Sequence, residues 1–180
     1  MLLQPPAVVK FDFSSAYNNA SRAEIAANLR IEKPRMLRFF LFQYGDTSVL
    51  LVVWNGVLIA TFECSVGVKQ GDVLGGHYFA LGTMRFAEKI ADLYPEVHIS
   101  WIIDDLTLSD PQASCADVAD HVSSIGPKYG LYPNPDKLKI WVHGEQPLPI
   151  LDKLGFESCP SGFDITTKLL GAPLGTDELI

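Results

Sequence analysis

The 180-residue sequence predicts an α+β fold in which a mostly antiparallel sheet, carrying an Asp-Asp hairpin, packs on two or three helices. Three observations predict it. Two apolar runs, Ser48–Trp54 and Val57–Cys64, flank Asn55-Gly56, the strongest short-range hairpin signal. Val97, Ile99, Trp101 and Ile103 alternate with His98, Ser100, Ile102 and Asp104, so one face of a strand is strongly apolar. Helix start signals at Ser21 and Pro34 then separate the strands without any internal repeat.

In chain order, Ala7–Phe13 is rich in β-branched and aromatic residues and stops at Ser14-Ser15, which predicts a buried strand delivering Asp12 near its end. Ser21 with Glu24 forms a capping box that opens a helix to about Arg30. Pro34 suits the first position of a second helix ending near Gly45. After the Asn55-Gly56 hairpin, Gly67 to Gly76 reads as a glycine-punctuated loop, and His77 to Tyr94 as a long helix. The strand through Ile103 returns along Leu106–Ser109, leaving Asp104-Asp105 at the tip of a tight hairpin. Ala113 to about Ile125 is helical, Gly130–Pro135 is a rigid turn, and a strand runs from Lys137 to His143. Short strands and turns follow to the end.

Length and composition fit one globular domain: 48% of residues are apolar, 19% are charged, and the formal net charge is −7. These values exclude a disordered or collagen-like chain. Cys64, Cys115 and Cys159 are too few and too widely spaced for a disulfide framework or a thiolate zinc site. No stretch has the length of a membrane span, and the first residues lack a signal-peptide pattern, so an intracellular protein, nuclear or cytoplasmic, is expected. Charge is uneven: residues 1–90 sum to +2 and residues 91–180 to −9. An acidic half is a poor general phosphate binder, although it can hold divalent cations. Arg22, Arg30, Lys33, Arg35 and Arg38 form the basic cluster, expected to be a solvated helical face.

Asp104-Asp105 alone is compatible with ordinary solvated turn chemistry. Asp12, however, ends another strand that a central sheet can bring beside this hairpin. Three carboxylates at adjacent strand ends repel one another unless a cation is bound. Their hard oxygens suit Mg²⁺ or Mn²⁺, and two such ions can clamp the oxygens of an in-line phosphoryl transfer.

At this point the chain resembles the reverse transcriptases, RNA-directed DNA polymerases, and specifically those of non-long-terminal-repeat (LINE-type) retroelements. Asp12-Phe13-Ser14-Ser15-Ala16-Tyr17-Asn18 is similar to the first palm motif. Gly67-Val68-Lys69-Gln70-Gly71-Asp72-Val73-Leu74 is similar to the second, G-x-x-Q-G-x-x-L. Ile102-Ile103-Asp104-Asp105 holds the place of the aromatic-x-Asp-Asp hairpin, and Gly130-Leu131, Asn134 and Lys137 resemble the G-L-x-x-N-x-x-K element. Leu170–Gly175 resembles the primer grip. Each motif is weak or moderate singly; their common order and spacing make the signal.

The resemblance implies a polymerase palm over residues 1–180, a single domain without most of the fingers and all of the thumb. It implies two Mg²⁺ or Mn²⁺ ions on Asp12 and Asp104, with the Phe13 carbonyl assisting and Asp105 as a supporting carboxylate. Tyr17 would lie under the incoming sugar and leave no room for a 2′-hydroxyl. Gln70 and Gly71 would approach the templating pair and nucleotide, and Lys137 would stabilise charge or donate a proton at the leaving pyrophosphate. The implied partners are an RNA template, a DNA primer, deoxynucleoside triphosphates and the rest of a larger polymerase. Read without the motifs, Tyr17 is equally a core tyrosine, Gln70-Gly71 a loop before a helix and Lys137 an exposed lysine. An inactive palm remnant or interaction module, and a viral-type RNA-dependent RNA polymerase, are the alternative readings. Three departures stand out: Ile102 replaces the usual aromatic, Leu74-Gly75-Gly76 replaces the commoner Leu-Ser-Pro, and Leu138 follows Lys137 where a hydroxyl residue is usual.

Overall fold

The computed structural model describes residues 6–142, 167–169 and 172–174. Strand β1 (Pro6–Asp12) is followed by the short helix α1 (Ala16–Asn19), then α2 (Arg22–Glu32) and α3 (Pro34–Tyr44). Hairpin β2 (Ser48–Trp54) and β3 (Val57–Cys64) leads to the long helix α4 (Gly75–Leu93). Strands β4 (His98–Ile102) and β5 (Asp105–Pro111), helix α5 (Gln112–Ile125), two 3-10 turns (Gly126–Tyr129 and Pro135–Lys137) and β6 (Lys139–Val142) complete the body. A small hairpin, β7 (Thr167–Leu169) and β8 (Ala172–Leu174), carries part of the primer-grip-like motif; Leu170, Gly171 and Gly175 lie outside the described residues, as do His143 and Cys159.

The central sheet has the order β4-β5-β1-β6 and is antiparallel throughout. Alternation decides which side of it is dry. Ala7, Val9 and Phe11 of β1 and Leu106 and Leu108 of β5 are buried, whereas Val8, Lys10 and Asp12 point to the other, more open face. Helices α5 and α4 supply Val118, Val122, Phe86 and Ile90 to the same core, and α2 adds Ile25 and Leu29. Because the side-chain period is two, a slip of one residue would turn Phe11 and Leu106 out and Asp12 and Asp105 in. Burying the apolar set therefore holds the register in which Asp12 faces Asp105.

The local signals behave as their chemistry requires. Ser21 Oγ accepts from the Glu24 amide and opens α2, and Pro34 stands at the start of α3. Asn55 and Gly56 both take positive φ, 48° and 78°, as a two-residue turn matched to strand twist needs. Helix α4 begins two residues earlier than the sequence suggests, at Gly75, because Asp72 Oδ1 accepts from the Leu74 amide at 2.9 Å and caps the turn leading into it. The final strand starts at Lys139 rather than Lys137, since Asn134 folds the chain into a 3-10 turn by accepting from the Asp136 amide.

Among the described residues, hairpin β2–β3 pairs only with itself. Its side chains are apolar on both faces and open to solvent: Leu51 is 63% exposed and Trp54 69%. Its root is held by Arg22, whose guanidinium donates to the carbonyls of Gly67 (2.8 Å), Val66 (3.2 Å), Asp46 (3.3 Å) and Tyr44 (3.4 Å). Arg22 is thus not part of a solvated basic face; its planar fork gathers four carbonyls that end or begin neighbouring segments.

Candidate active site

The end of the central sheet assembles the residues singled out above. Asp12 closes β1, and Asp105 opens β5 as its register partner. Asp104 occupies the two-residue turn between β4 and β5 and is exposed. That turn places Ile103 at φ 56°, a left-handed conformation unusual for a β-branched residue, and the Trp101 indole donates to the Ile103 carbonyl at 2.9 Å to hold it. Lys137 Nζ lies 3.3 Å from Asp12 Oδ1, and Lys10 Nζ lies 3.0 Å from Asp105 Oδ1. Two lysines therefore stand against two of the three carboxylates.

The chain after Asp12 is braced for this geometry. Ser14 donates to the Tyr132 carbonyl and Asn134 to the Asp12 carbonyl, forming a bridge around Phe13 and Pro133. Both bonds run through neighbours of Phe13, so that bridge leaves the Phe13 carbonyl unused. The Phe13 ring is buried between Phe11 (6.0 Å) and Trp101 (6.2 Å), so this residue can offer a ligand only its backbone.

Tyr17 stacks on Phe79 of α4, with centroids 5.1 Å apart and planes 8° from parallel. A Cβ on Gly76 would sit 3.3 Å from the Tyr17 hydroxyl, and one on Gly75 would lie 3.8 Å from the ring. Gly76 thus leaves room for the tyrosine hydroxyl, whereas the tight neighbour of Gly75 is the Lys69 carbonyl, 3.0 Å from an added Cβ. Two further glycines press on the same segment. Gly67 (φ 72°) packs on the Tyr17 and Asn18 carbonyls, and Gly130 (φ 81°) packs on Asn19 and Ala20. Val68 donates to the Tyr17 carbonyl at 2.8 Å, and Gly67 donates to Ala20 at 3.0 Å. The glycines of the second and fourth motifs serve the first, by letting backbone touch backbone around Tyr17.

Gln70 and Gly71 are exposed. Gln70 lines an open cleft of about 330 Å³ with Gln43, Tyr44, Lys69 and Asp72. Its floor is a network that sequence reasoning missed: Tyr44 donates a very short hydrogen bond to Asp72 Oδ2, and the Lys69 amide donates to the Tyr44 hydroxyl at 3.2 Å. Burial, together with the Asp72 hydrogen bond, pushes the Tyr44 phenol up to about 12. Asp72 stands at an unspecified position of the second motif, and nothing near Tyr44 in sequence pointed to their contact. The Tyr44→Phe variant is expected to cost about 1–3 kcal/mol, because it leaves the Lys69 amide and the Asp72 carboxylate short of a partner. Thermal unfolding at neutral pH measures this loss. Since the folded phenol titrates above the unfolded one, its contribution is complete below pH 10 and is lost as pH rises through about 12. The alkaline limb of the stability curve should accordingly flatten in the variant.

Divalent cations fit the sheet end by donor chemistry: hard carboxylate oxygens at adjacent strand ends, a Phe13 carbonyl that takes no bond among the described residues, and enough exposure for water to complete the shell. No group of three acidic, His or Cys side chains is closed up for a metal among the described residues. The lysine pairings at Asp12 and Asp105 fit that open arrangement, since each turns a carboxylate toward an ammonium.

Sheet order, the Asp-Asp turn and the helices behind them make a palm-like α+β fold, and the comparisons with known proteins support a reverse-transcriptase-like palm region. It is similar to the retrotransposable element SLACS 132 kDa protein of Trypanosoma brucei gambiense, 28% identical over 131 residues, covering 72% of this chain and 11% of that protein. Among solved structures it is similar to apo telomerase from Candida tropicalis truncated from its C-terminal domain, with a TM-score of 0.65 at 16% identity, covering 80% of this chain and 32% of that one. It is also similar to telomerase from Candida tropicalis in complex with a TWJ fragment of telomeric RNA, with a TM-score of 0.63 at 13% identity, covering 96% and 29%. The chain thus spans about a tenth of the curated relative and about three-tenths of the telomerase chains. No protein-family model matches it.

Proposed function

We propose that this chain is the catalytic palm of an RNA-directed DNA polymerase that adds deoxynucleotides to a DNA primer 3′-hydroxyl on an RNA template. The observation that carries the reading is the register: Asp12 faces Asp105 across β1 and β5, with Asp104 in the adjoining turn and Lys137 beside Asp12. In this reading Asp12 and Asp104, with the Phe13 carbonyl, hold two Mg²⁺ or Mn²⁺ ions, and Asp105 supports them. Bound there, the ions would supply Lewis-acid stabilisation of the attacking and leaving oxygens. Lys137, exposed and on a short tether to Asp12, offers charge or a proton to the departing pyrophosphate. Tyr17, wedged between Phe79 and the α4 glycines, cannot yield to a 2′-hydroxyl and so selects deoxyribose. Gln70 and Gly71 face the templating pair.

The bare apolar hairpin β2–β3 supports a larger assembly, because an exposed, two-faced apolar ribbon of this size marks a surface that other protein covers. Further segments of the polymerase, fingers and thumb, are the partners this reading assigns. The reaction takes place inside the cell, in nucleus or cytoplasm. Among the described residues no helix is long and apolar enough to cross a membrane.

The test is primer extension on an RNA template by the intact polypeptide that carries this chain, with deoxynucleoside and ribonucleoside triphosphates in competition. Deoxynucleotides should win by about 100-fold or more, and Tyr17→Ala should relax the ratio by about tenfold. A ribonucleotide preference would make the chain part of an RNA-dependent RNA polymerase. No extension together with no Mn²⁺ binding would make it an inactive remnant that keeps only the fold.

A further inference from the structure

The second motif carries Gln70 and Gly71 on a tight turn. The Asp72 amide donates to the Lys69 carbonyl at 3.2 Å, which makes Gln70 and Gly71 its central residues, and Gly71 supplies the positive φ, 87°, that a type II turn asks of its third position. Both are exposed at the tip, while Lys69 and Asp72 are half-buried. One hydroxyl reaches both ends of the turn: Tyr44 Oη accepts from the Lys69 amide at 3.2 Å and donates to Asp72 Oδ2. The other Asp72 oxygen accepts from the Leu74 amide at 2.9 Å, and the Asp72 carbonyl accepts from the Gly75 amide at 3.0 Å, tying the same end to the start of α4.

The residue that joins the ends is itself fixed. Tyr44 is 2% exposed, stacks on Phe40 at 5.4 Å, meets Tyr78 edge-on at 5.9 Å and lies beneath the Arg22 guanidinium, 5.2 Å from its ring centre. The ring fills the core; the hydroxyl alone links turn ends that lie 25 and 28 positions away in sequence. Burial raises the phenol to about 12, so it donates to Asp72 throughout the neutral range.

We propose that Tyr44 and Asp72 are positioning residues of the polymerase: by stapling the two ends of the Lys69–Asp72 turn they hold the Gln70 side chain in the pose that meets the templating pair. The inference rests on the polymerase reading above, in which Gln70 faces that pair. Its physical basis is entropy. An exposed Gln beside a glycine loses backbone and side-chain freedom when it engages a base pair, and a turn already closed by the protein has lost much of the backbone part beforehand. Without the staple, the nucleotide must order the turn as it binds, so affinity falls while the chemical step keeps its rate.

The experiment measures single-turnover extension by the intact polypeptide against concentration of the templated deoxynucleotide, which separates nucleotide Kd from the maximal rate. Tyr44→Phe keeps the ring and should raise Kd by about fivefold while the maximal rate changes by less than about twofold; Asp72→Ala should act in the same direction. Gln70→Ala should raise Kd by about tenfold, and in that background Tyr44→Phe should add less than about twofold, because the staple acts through Gln70. A purely structural loss would add equally in both backgrounds. Equal effects of Tyr44→Phe in the two backgrounds therefore overturn the proposal, as does an unchanged Kd in Tyr44→Phe and Asp72→Ala where Gln70→Ala does raise it. Asp72→Ala runs through the same cycle if Tyr44→Phe fails to fold. Wild-type Kd in Gln70→Ala, or no extension by the wild-type polypeptide, would instead remove the polymerase role of the second motif, and the positioning role with it.

Discussion

In the polymerase proposed above, replacing Asp12 with Asn is expected to lower primer extension by about 10³-fold or more while leaving the fold intact, since ions held there would supply several kcal/mol of transition-state stabilisation. The two halves of that expectation come from different observations. Asp12 stands at the end of β1 on the open face, 40% exposed, and its side chain meets Lys137 alone among the described contacts. An exposed pair of this kind is worth about 1 kcal/mol at most. The structural bond at this residue is made by the backbone, where the Asn134 amide donates to the Asp12 carbonyl at 2.9 Å, and it survives the substitution. Stability, read by thermal unfolding, should therefore barely move while single-turnover extension collapses. Asp104→Asn should behave alike, because the strained turn rests on Ile103 and its bond from Trp101 rather than on the aspartate. Wild-type-like extension by either variant would remove these residues from the site.

Gly130→Ala is expected to cost about 3 kcal/mol or more of stability, among the largest single-residue losses this fold can suffer. Gly130 sits at φ 81°, where a Cβ alone costs about 1–2 kcal/mol. That Cβ would also overlap the Asn19 carbonyl and lie 2.9 Å from the Ala20 Cα, both backbone atoms that cannot rotate away. Relief would require the 126–131 turn to lift off α1, breaking the bond from the Ser21 amide to the Tyr129 carbonyl and loosening the fully buried Leu131. Gly56→Ala is the control, for Gly56 has φ 78° but nothing within 4 Å of its added Cβ. Its cost should be the conformational part only, about 1 kcal/mol. Equal losses in the two variants, measured by thermal or denaturant unfolding, would mean that close approach at Gly130 contributes nothing. Unequal losses would also appear in activity, since lifting this turn withdraws support from Tyr17 and from the Asp12 carbonyl.

Local chemistry is what made most elements legible in the chain. Ser21 with Glu24, Pro34, Asn55-Gly56 and the alternation through Trp101 act within a few residues, and each took the conformation its own stereochemistry prefers. The ordered motifs also pointed to Asp12, Asp104 and Asp105 as one group, because strand ends carrying carboxylates have few other reasons to recur together. Where boundaries shifted, at Gly75 and Lys139, a side chain two residues away captured a backbone amide, a competition that periodicity does not register.

Tertiary structure alone decided the rest. The Tyr44–Asp72 bond joins residues 28 apart, Arg22 collects carbonyls from residues 22 to 45 positions distant, and Lys10 meets Asp105 only once β1 pairs with β5. The double-sided exposure of β2–β3 was likewise invisible, since an apolar run reads the same whether or not a partner covers it. The amino-acid sequence by itself determined the elements, their order and the residue types of the site, because propensity, capping and alternation are short-range. Which carboxylate faces which lysine, and which glycine touches which backbone, followed from packing the apolar faces together, a long-range condition that no local pattern encodes.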